Sequence, residues 1–310
     1  MGNKKINRKR VVLRIVFYII IISLLYYFTK NNISNISKIK EITFDYLFYS
    51  SVFISITLIL LGLKTKLIVN HYNISLSKTE WLGLGIINTF WNYLFLKGGV
   101  VARAVYLKKK GLAYSDFSSI IIVTHIISLM LFSFLSFIVF ILASFYFHIS
   151  LLKIIIFFLV IFIAMVLSLK GSIKTKNKIL QIFIKNKEDI RKNRLLISKL
   201  IILEFIIIII YSLRLKIIGD FFDYDLPYIA YFLIALFSNI SMNILNLVPG
   251  GLGIKEAGSG FILKILNFNL EYGIIITLID RVIAMSIIFP VGLLFNFILF
   301  KTIYYNKIKT

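Results

Sequence analysis

Long, unbroken runs of apolar residues restrict the fold of this chain more than any other feature. Residues 15–28 and 154–169 contain no charged side chain. With 59% hydrophobic residues, the chain is also more apolar than a typical soluble domain. Lipid admits only helices or closed barrels, and the strands of a barrel would alternate apolar and polar residues. The sequence therefore predicts an all-α, polytopic helical membrane bundle.

The net charge of +23 is concentrated in short segments beside the apolar runs. Residues 1–14 carry six cations and no acid, and residues 170–199 carry ten cations against two acids. By the positive-inside rule both segments are cytoplasmic. We therefore expect a multi-pass protein of the plasma or inner membrane with a cytoplasmic N-terminus. Nucleic acid is not expected as a partner, because the charge does not form one basic domain.

The apolar runs predict seven or eight spans within one integral membrane domain, residues 1–310. A helix needs about 20 residues to cross about 30 Å of hydrocarbon. Suitable runs lie near residues 11–28, 45–62, 119–147, 151–168, 199–213, 228–247 and 273–300. Lysines close to the C-terminus favour an even number of crossings from a cytoplasmic N-terminus. Residues 251–268 would then supply the eighth crossing, wholly or in part.

Two apolar segments are interrupted by glycine and predict re-entrant helices. Trp81–Leu96 runs into Lys97-Gly98-Gly99, and Val248–Gly260 holds five glycines and a proline. Proline and clustered glycine interrupt helices, and broken backbone at membrane depth requires surrounding protein or a wet cavity. In both segments a cation lies five residues beyond the first glycine of a pair, at Arg103 and at Lys255.

The interrupted segments fall in different halves of the chain, about residues 10–168 and 199–300, on either side of a cytoplasmic basic loop at 170–199. Paired interruptions at corresponding positions indicate the binding site of repeat-built transporters. We therefore predict that the two segments meet as partial helices near the membrane midplane. The alternative is a pair of unrelated amphipathic loops.

The second segment carries a recognisable motif. Asn246–Gly258 resembles the signature of the lysylphosphatidylglycerol synthase membrane region, and Arg281 matches an arginine usually found in the last span of that family. The first-half motif is similar at Lys97, Gly98, Gly99, Arg103, Lys108–Lys110 and Gly111. It lacks the proline usual near Leu96. The resemblance covers about residues 10–300.

That resemblance implies movement of phospholipids, or of lipid-linked head groups, between leaflets. The soluble aminoacyl-transferring domain of the full-length synthase is absent from these 310 residues. We therefore do not expect an enzyme, a catalytic residue or a cofactor. Membrane lipids with anionic head groups are the expected partners, and the lipid and the oligomeric state stay open.

An anionic head group needs fixed cations and backbone N–H donors to replace its water. The candidate substrate-binding residues are Lys97, Gly98, Gly99, Arg103, Pro249, Gly250, Gly251, Gly253, Lys255, Glu256, Asp280 and Arg281. Adjacent helical residues point about 100° apart, so Asp280 and Arg281 need separate partners. Either Glu256 pairs with Arg281 or Lys255 pairs with Asp280. Arg103, Lys255 and Arg281 are predicted to converge on one pocket, unless such pairs only hold the bundle together.

Other chemistry has little support in the sequence. No metal site is expected, because the chain has no cysteine and its aspartates lack calcium-loop spacing. His125 is expected to pack or to form a cross-helix hydrogen bond, and Glu204 is expected to snorkel rather than to relay protons. Two alternatives remain. One is a transferase acting on lipid-linked sugars through Glu41 and Asp45. The other is a scaffold that docks an envelope-synthesis enzyme through an amphipathic helix in residues 170–199.

Overall fold

The computed structural model describes residues 44–171, 177–244 and 249–308 of the 310-residue chain. These residues are helical or form turns, and they contain no strand, so the predicted all-α bundle is confirmed. Residues from 45 onward form one compact unit, while residues 1–44 group separately. The predicted first span at 11–28 lies outside the described residues, as do Asn246, Leu247 and Val248.

Ten α-helices and one short 3₁₀ turn make up the described residues. The helices are α1 (Phe44–His71), α2 (Lys78–Leu94), α3 (Gly98–Lys109), α4 (Tyr114–Tyr146), α5 (Leu152–Lys170), α6 (Lys178–Lys192), α7 (Arg194–Phe221), α8 (Tyr228–Ile244), α9 (Ile254–Ile265) and α10 (Leu270–Ile308). The 3₁₀ turn Pro249–Gly251 lies between α8 and α9.

Five of these helices, α1, α4, α5, α7 and α10, are long and apolar enough to cross a membrane. In two of them a cation lies inside the helix, beyond the end of the predicted span. The span at 45–62 continues to His71, and the span at 199–213 continues to Phe221. The apolar runs end before Lys64 and Arg214, but both cations lie within helices because each has a carboxylate partner in the bundle.

Side-chain contacts define two ends of the bundle. At the basic end, the C-termini of α1 and α5 and the N-termini of α4 and α7 meet α6. The contacts are His71–Asn193 (3.1 Å), Asn186–Asp116 (3.1 Å) and Arg191–Lys170 O (3.1 Å). At the acidic end, ring contacts join Tyr46 to Phe221, Phe147 to Phe268 and Tyr224 to Tyr272. Asp220, Asp223, Asp225 and Glu271 lie in or beside the turns at the acidic end.

One helical hairpin enters the bundle from each end. At the basic end, Glu80 near the start of α2 accepts from Tyr106 of α3 at 2.6 Å and from Lys110 at 2.5 Å. At the acidic end, α8 and α9 pack together at Phe237 and Gly258. Helix α2, with 17 residues, spans about 25 Å, and helices α3 and α9, with 12 residues each, span about 18 Å, less than the hydrocarbon thickness of about 30 Å. These two hairpins are the predicted glycine-interrupted re-entrant segments, and the predicted span at 228–247 is one arm of the second.

The order of long and short helices recurs along the chain. A long helix, α1 or α7, is followed by a hairpin of two shorter helices, and the second helix of each hairpin, α3 or α9, has 12 residues. Each set is followed by a long helix, α4 or α10. The same order of helix lengths therefore occurs once on each side of α5 and α6.

The predicted basic loop at 170–199 contains a helix, α6. Its apolar face packs inward through Ile190, which is buried. Lys187, also buried, donates to the carbonyl oxygens of Ser168 at 3.2 Å and of Gly171, at the C-terminal end of α5. A cation at a helix C-terminus satisfies carbonyls that have no helical partner and complements the helix dipole. Helix α6 is therefore fixed to the basic end of the bundle.

The first hairpin depends on close backbone packing at Gly99. A Cβ atom there would overlap the carbonyl oxygen of Asn88, a backbone atom that cannot rotate away. We expect Gly99→Ala to destabilise the purified protein by about 1–3 kcal/mol, the usual cost of overpacking. Thermal unfolding in detergent measures the effect. Gly171→Ala is the matched control, because its Cβ would meet only Leu167 O at 3.2 Å. Equal stability of both variants would contradict this packing.

Candidate functional site

A buried ion pair lies where the second hairpin meets α10. Arg281 Nε donates to Glu256 Oε1 at 2.7 Å, and these residues are 5% and 2% exposed. Arg281 also donates to Gly251 O at 3.2 Å. Glu256 is the third residue of α9, so its second oxygen accepts from the N–H of Gly253 at 2.7 Å. Glu256 therefore both caps α9 and neutralises Arg281, which is the first of the two pairings considered from the sequence.

Asp280 has a partner that its position in the sequence does not predict. Arg214 of α7 pairs with it through two nitrogens, at 2.5 and 3.0 Å, and both residues are buried. The Lys255–Asp280 alternative is therefore wrong. The predicted span ends at Leu213, so the sequence predicts a loop outside the membrane for Arg214. The structure instead places Arg214 within α7.

Lys255 is left without a carboxylate partner among the described residues. Its ammonium lies 5.6 Å from the ring centre of Tyr211, which also faces the Arg214 guanidinium at 5.0 Å. With Glu256 and Asp280 each committed to an arginine, these groups retain one uncompensated positive charge. We call Arg214, Lys255, Glu256, Asp280 and Arg281 the acidic-end cluster, because their helices connect at that end.

The turn of the second hairpin needs glycine. Gly250, Gly251 and Gly253 have φ angles of 60°, 67° and 80°, in the left-handed region that favours glycine. A Cβ on Gly250 would lie 2.8 Å from the ring of Tyr93, near the end of α2. The two hairpin tips are therefore in contact, as predicted for the two interrupted segments.

The turn of the first hairpin uses its N–H groups internally. Lys97 is exposed and left-handed, with φ 57°. The Gly98 N–H donates to Phe95 O at 2.9 Å, and the Gly99 N–H donates to Asn92 Oδ1 at 3.0 Å. The next two N–H groups donate to Lys97 O. The predicted role of Gly98 and Gly99 as donors to a head group is therefore not supported, because Asn92 and the turn itself satisfy them.

A second group of polar residues connects α1, α4, α7 and α8. Glu204, 6% exposed, pairs with Lys64 and accepts from Ser128 at 2.5 Å. The snorkelling interpretation of Glu204 is therefore wrong, because the carboxylate points into the bundle. His125 forms the predicted cross-helix hydrogen bond, with Asn243 of α8 at 2.5 Å.

Arg103 belongs to this second group and not to the acidic-end cluster. It donates to Thr65 Oγ1 at 3.4 Å, and its guanidinium lies 5.9 Å from the ring centre of Phe117. Its Nε is buried, and no acceptor for it lies among the described residues. We call Lys64, Arg103, His125 and Glu204 the basic-end cluster. By its contacts, Arg103 does not join Lys255 and Arg281 in the predicted single pocket.

The residues that sequence reasoning misses have a signal in common. Lys64 and Arg214 each begin a pair of cations, two residues apart, that interrupts apolar sequence, and a charge within a span is costly unless it has a partner. The sequence alone places them in loops, because each lies just beyond a run of uncharged residues. Tyr93 and Tyr211, which face the acidic-end cluster, carry no signal that separates them from the many other tyrosines.

Comparison with known proteins assigns the chain to a family. No curated protein and no solved structure matches the chain. A model of the family described as the lysylphosphatidylglycerol synthase TM region matches residues 11–292. That range contains both helical hairpins and both charge clusters. The chain, a multi-pass membrane protein, therefore belongs to the lysylphosphatidylglycerol synthase TM region family.

Proposed function

We propose that the protein moves lipids with anionic head groups between the two leaflets of the membrane. The observation that carries this proposal is the meeting of two helical hairpins from opposite ends of the bundle, beside cations that no carboxylate of the described residues neutralises. Membership of a family named after the membrane region of a lipid synthase links the chain to membrane lipids. The family description does not mention movement of lipid between leaflets, and that activity is our proposal.

The charged head group causes most of the energy barrier to movement of a lipid between leaflets. Removing a charged phosphate from water into hydrocarbon costs many kcal/mol, whereas the acyl chains can stay in lipid throughout. Arg103 and Lys255 would replace part of the lost hydration with direct charge-assisted contacts. Helices α3 and α9 are too short to span the bilayer. We therefore expect water to reach part of the head group's path from each side of the membrane.

The charge distribution supports a cytoplasmic basic end. Helix α6 and the nearby lysines lie at this end, as the positive-inside rule requires for a cytoplasmic surface. Five described spans and the predicted span at 11–28 give six crossings rather than the predicted seven or eight, because residues 228–244 and 254–265 form the second hairpin. An even number places both chain termini on the cytoplasmic side, which accounts for the lysines near each terminus.

This orientation is tested with introduced cysteines, because the chain has none of its own. Lys185 and Asp223 are exposed, at the basic and the acidic end respectively. In intact cells we expect a membrane-impermeant thiol reagent to label Asp223→Cys and not Lys185→Cys. Permeabilised cells should show both labels. The reverse pattern in intact cells would contradict the orientation.

The scaffold alternative has lost its main support. It assigned docking of a partner enzyme to an amphipathic helix within residues 170–199. That helix exists as α6, but Asn186, Lys187 and Arg191 fix it to the ends of α4 and α5. Its recognisable polar contacts therefore stabilise the bundle itself.

Transport is tested in vesicles that contain the purified protein and a fluorescent phosphatidylglycerol. We expect label from the inner leaflet to become accessible to an external quencher faster than in protein-free vesicles. Equal rates with and without the protein, for a well-folded preparation, would overturn the proposed function.

A further inference from the structure

We propose that the protein holds the anionic head group at two successive positions, one beside Arg103 and one beside Lys255. This inference rests on the proposed transport function and assigns its binding residues. Arg281, Glu256, Asp280 and Arg214 are then structural ion pairs rather than ligands of the lipid.

The first argument is that the two charge clusters occupy equivalent places in a repeated order of helices. Lys64 lies seven residues before the end of α1, and Arg214 lies seven residues before the end of α7. Each cation is paired with a buried carboxylate, Glu204 or Asp280. A cation paired with a buried carboxylate therefore occurs at the same position in both halves.

The second argument comes from contacts between the halves. Tyr93 and Asn243 are each the sixteenth residue of their helix, α2 or α8. His125 lies as far from the start of α4 as Arg281 lies from the start of α10. Asn243 bonds to His125. Tyr93 meets Gly250, whose Cβ would also lie 3.2 Å from Arg281. The longer helix of each hairpin thus brings its sixteenth residue close to the twelfth residue of the long helix in the other half. Asn243 lies beside His125, and Tyr93 lies near Arg281.

The third argument is orientation. The first hairpin enters from the basic end and the second from the acidic end, so the two halves are inverted relative to each other. Inverted repeats place a binding site where broken helices meet, and the two sides of that site open in turn. Equivalent clusters on either side of the hairpin tips suit a head group that approaches from either end.

The fourth argument is the charge that remains in each cluster. In the basic-end cluster Glu204 neutralises Lys64, and Arg103 has no carboxylate partner among the described residues. In the acidic-end cluster two carboxylates neutralise two arginines, and Lys255 has none. A phosphate would supply the missing negative charge at each position. Arg103 can bind it bidentately, and Lys255 can bind it as a point charge.

The two cations also differ in depth. Arg103 lies six residues before the end of α3, about 9 Å from the basic end of that helix. Lys255 lies ten residues before the end of α9, about 15 Å from the acidic end. We therefore expect the two positions to be approached from different sides.

The test uses cysteine at each position and a permanently cationic, membrane-impermeant methanethiosulfonate, applied separately to right-side-out and inverted membrane vesicles. We expect Arg103→Cys to react faster from the basic end and Lys255→Cys to react faster from the acidic end. Exposed Lys185→Cys and Lys264→Cys report which face is accessible.

The same variants connect binding to transport. In proteoliposomes, both Arg103→Cys and Lys255→Cys should lose movement of labelled phosphatidylglycerol. The cationic reagent should restore it in part, and an anionic methanethiosulfonate should not. Reaction of both cysteines from one face only would overturn the two-position inference. Full transport in both variants would also overturn it while leaving the proposed function intact. Absence of transport by the wild-type protein would instead reject the proposed function.

Discussion

Arg281→Gln is expected to lower the stability of the protein by about 3–5 kcal/mol, because it leaves the carboxylate of Glu256 buried without its cation. Glu256 is 2% exposed and cannot reach water without opening the hairpin. The loss should appear as a lower midpoint of thermal unfolding in detergent and as poor expression. Glu256→Gln should have a similar effect, because it leaves the guanidinium unpaired.

The double variant Glu256→Gln with Arg281→Gln separates a structural pair from a transport site. Two neutral groups of similar size remove both charges together, so the double variant should recover most of the stability that either single variant loses. Lys264→Gln is the control, because Lys264 lies on the same helix and is exposed. Additive losses in the double variant would mean that the two residues do not act as a pair.

Lys255→Gln should behave in the opposite way, with the fold retained and transport lost. No carboxylate among the described residues depends on Lys255, so its removal leaves no unpaired charge behind. A hydrogen bond to a charged group is worth about 1.5–3 kcal/mol. Loss of such a contact with the phosphate should therefore slow the movement of anionic lipid by about 10- to 100-fold.

Two control variants test whether the loss of transport depends on the charge at position 255. Lys255→Arg keeps the charge and should keep most of the transport rate, whereas Lys264→Gln removes an exposed lysine from the same helix and should change nothing. Thermal unfolding of all three variants should stay close to that of the wild-type protein. Unchanged transport in Lys255→Gln, or its unfolding, would show that the acidic-end cation is not a ligand of the lipid.

The helical class and the two hairpins could be predicted because their signals are local. Apolar runs long enough to span a bilayer imply helices, and glycine with proline interrupts them at the turn that follows α8. The ends of the spans were harder to predict. A count of apolar residues stops at Lys64 or Arg214, and only the packed structure shows that Glu204 and Asp280 neutralise these cations.

The candidate site could be predicted only in part. Glu256 was a natural partner for Arg281, since a carboxylate in the first turn of a helix also caps it. The partner of Asp280 could not be predicted from spacing, because Arg214 lies on a different helix, 66 residues away. Arg103 and Lys255 resemble each other in their distance from a glycine pair. They nevertheless occupy different places in their helices, the sixth residue of α3 and the second of α9.

The most direct test of the account compares two labelled lipids in the same vesicles. Phosphatidylglycerol carries a net negative head group, and phosphatidylcholine, with the same acyl chains, carries none. If uncompensated cations carry the head group across, wild-type protein should move phosphatidylglycerol much faster than phosphatidylcholine, and Lys255→Gln should remove most of that difference. Movement of neither lipid above the rate in protein-free vesicles, or of both equally well, would contradict the account.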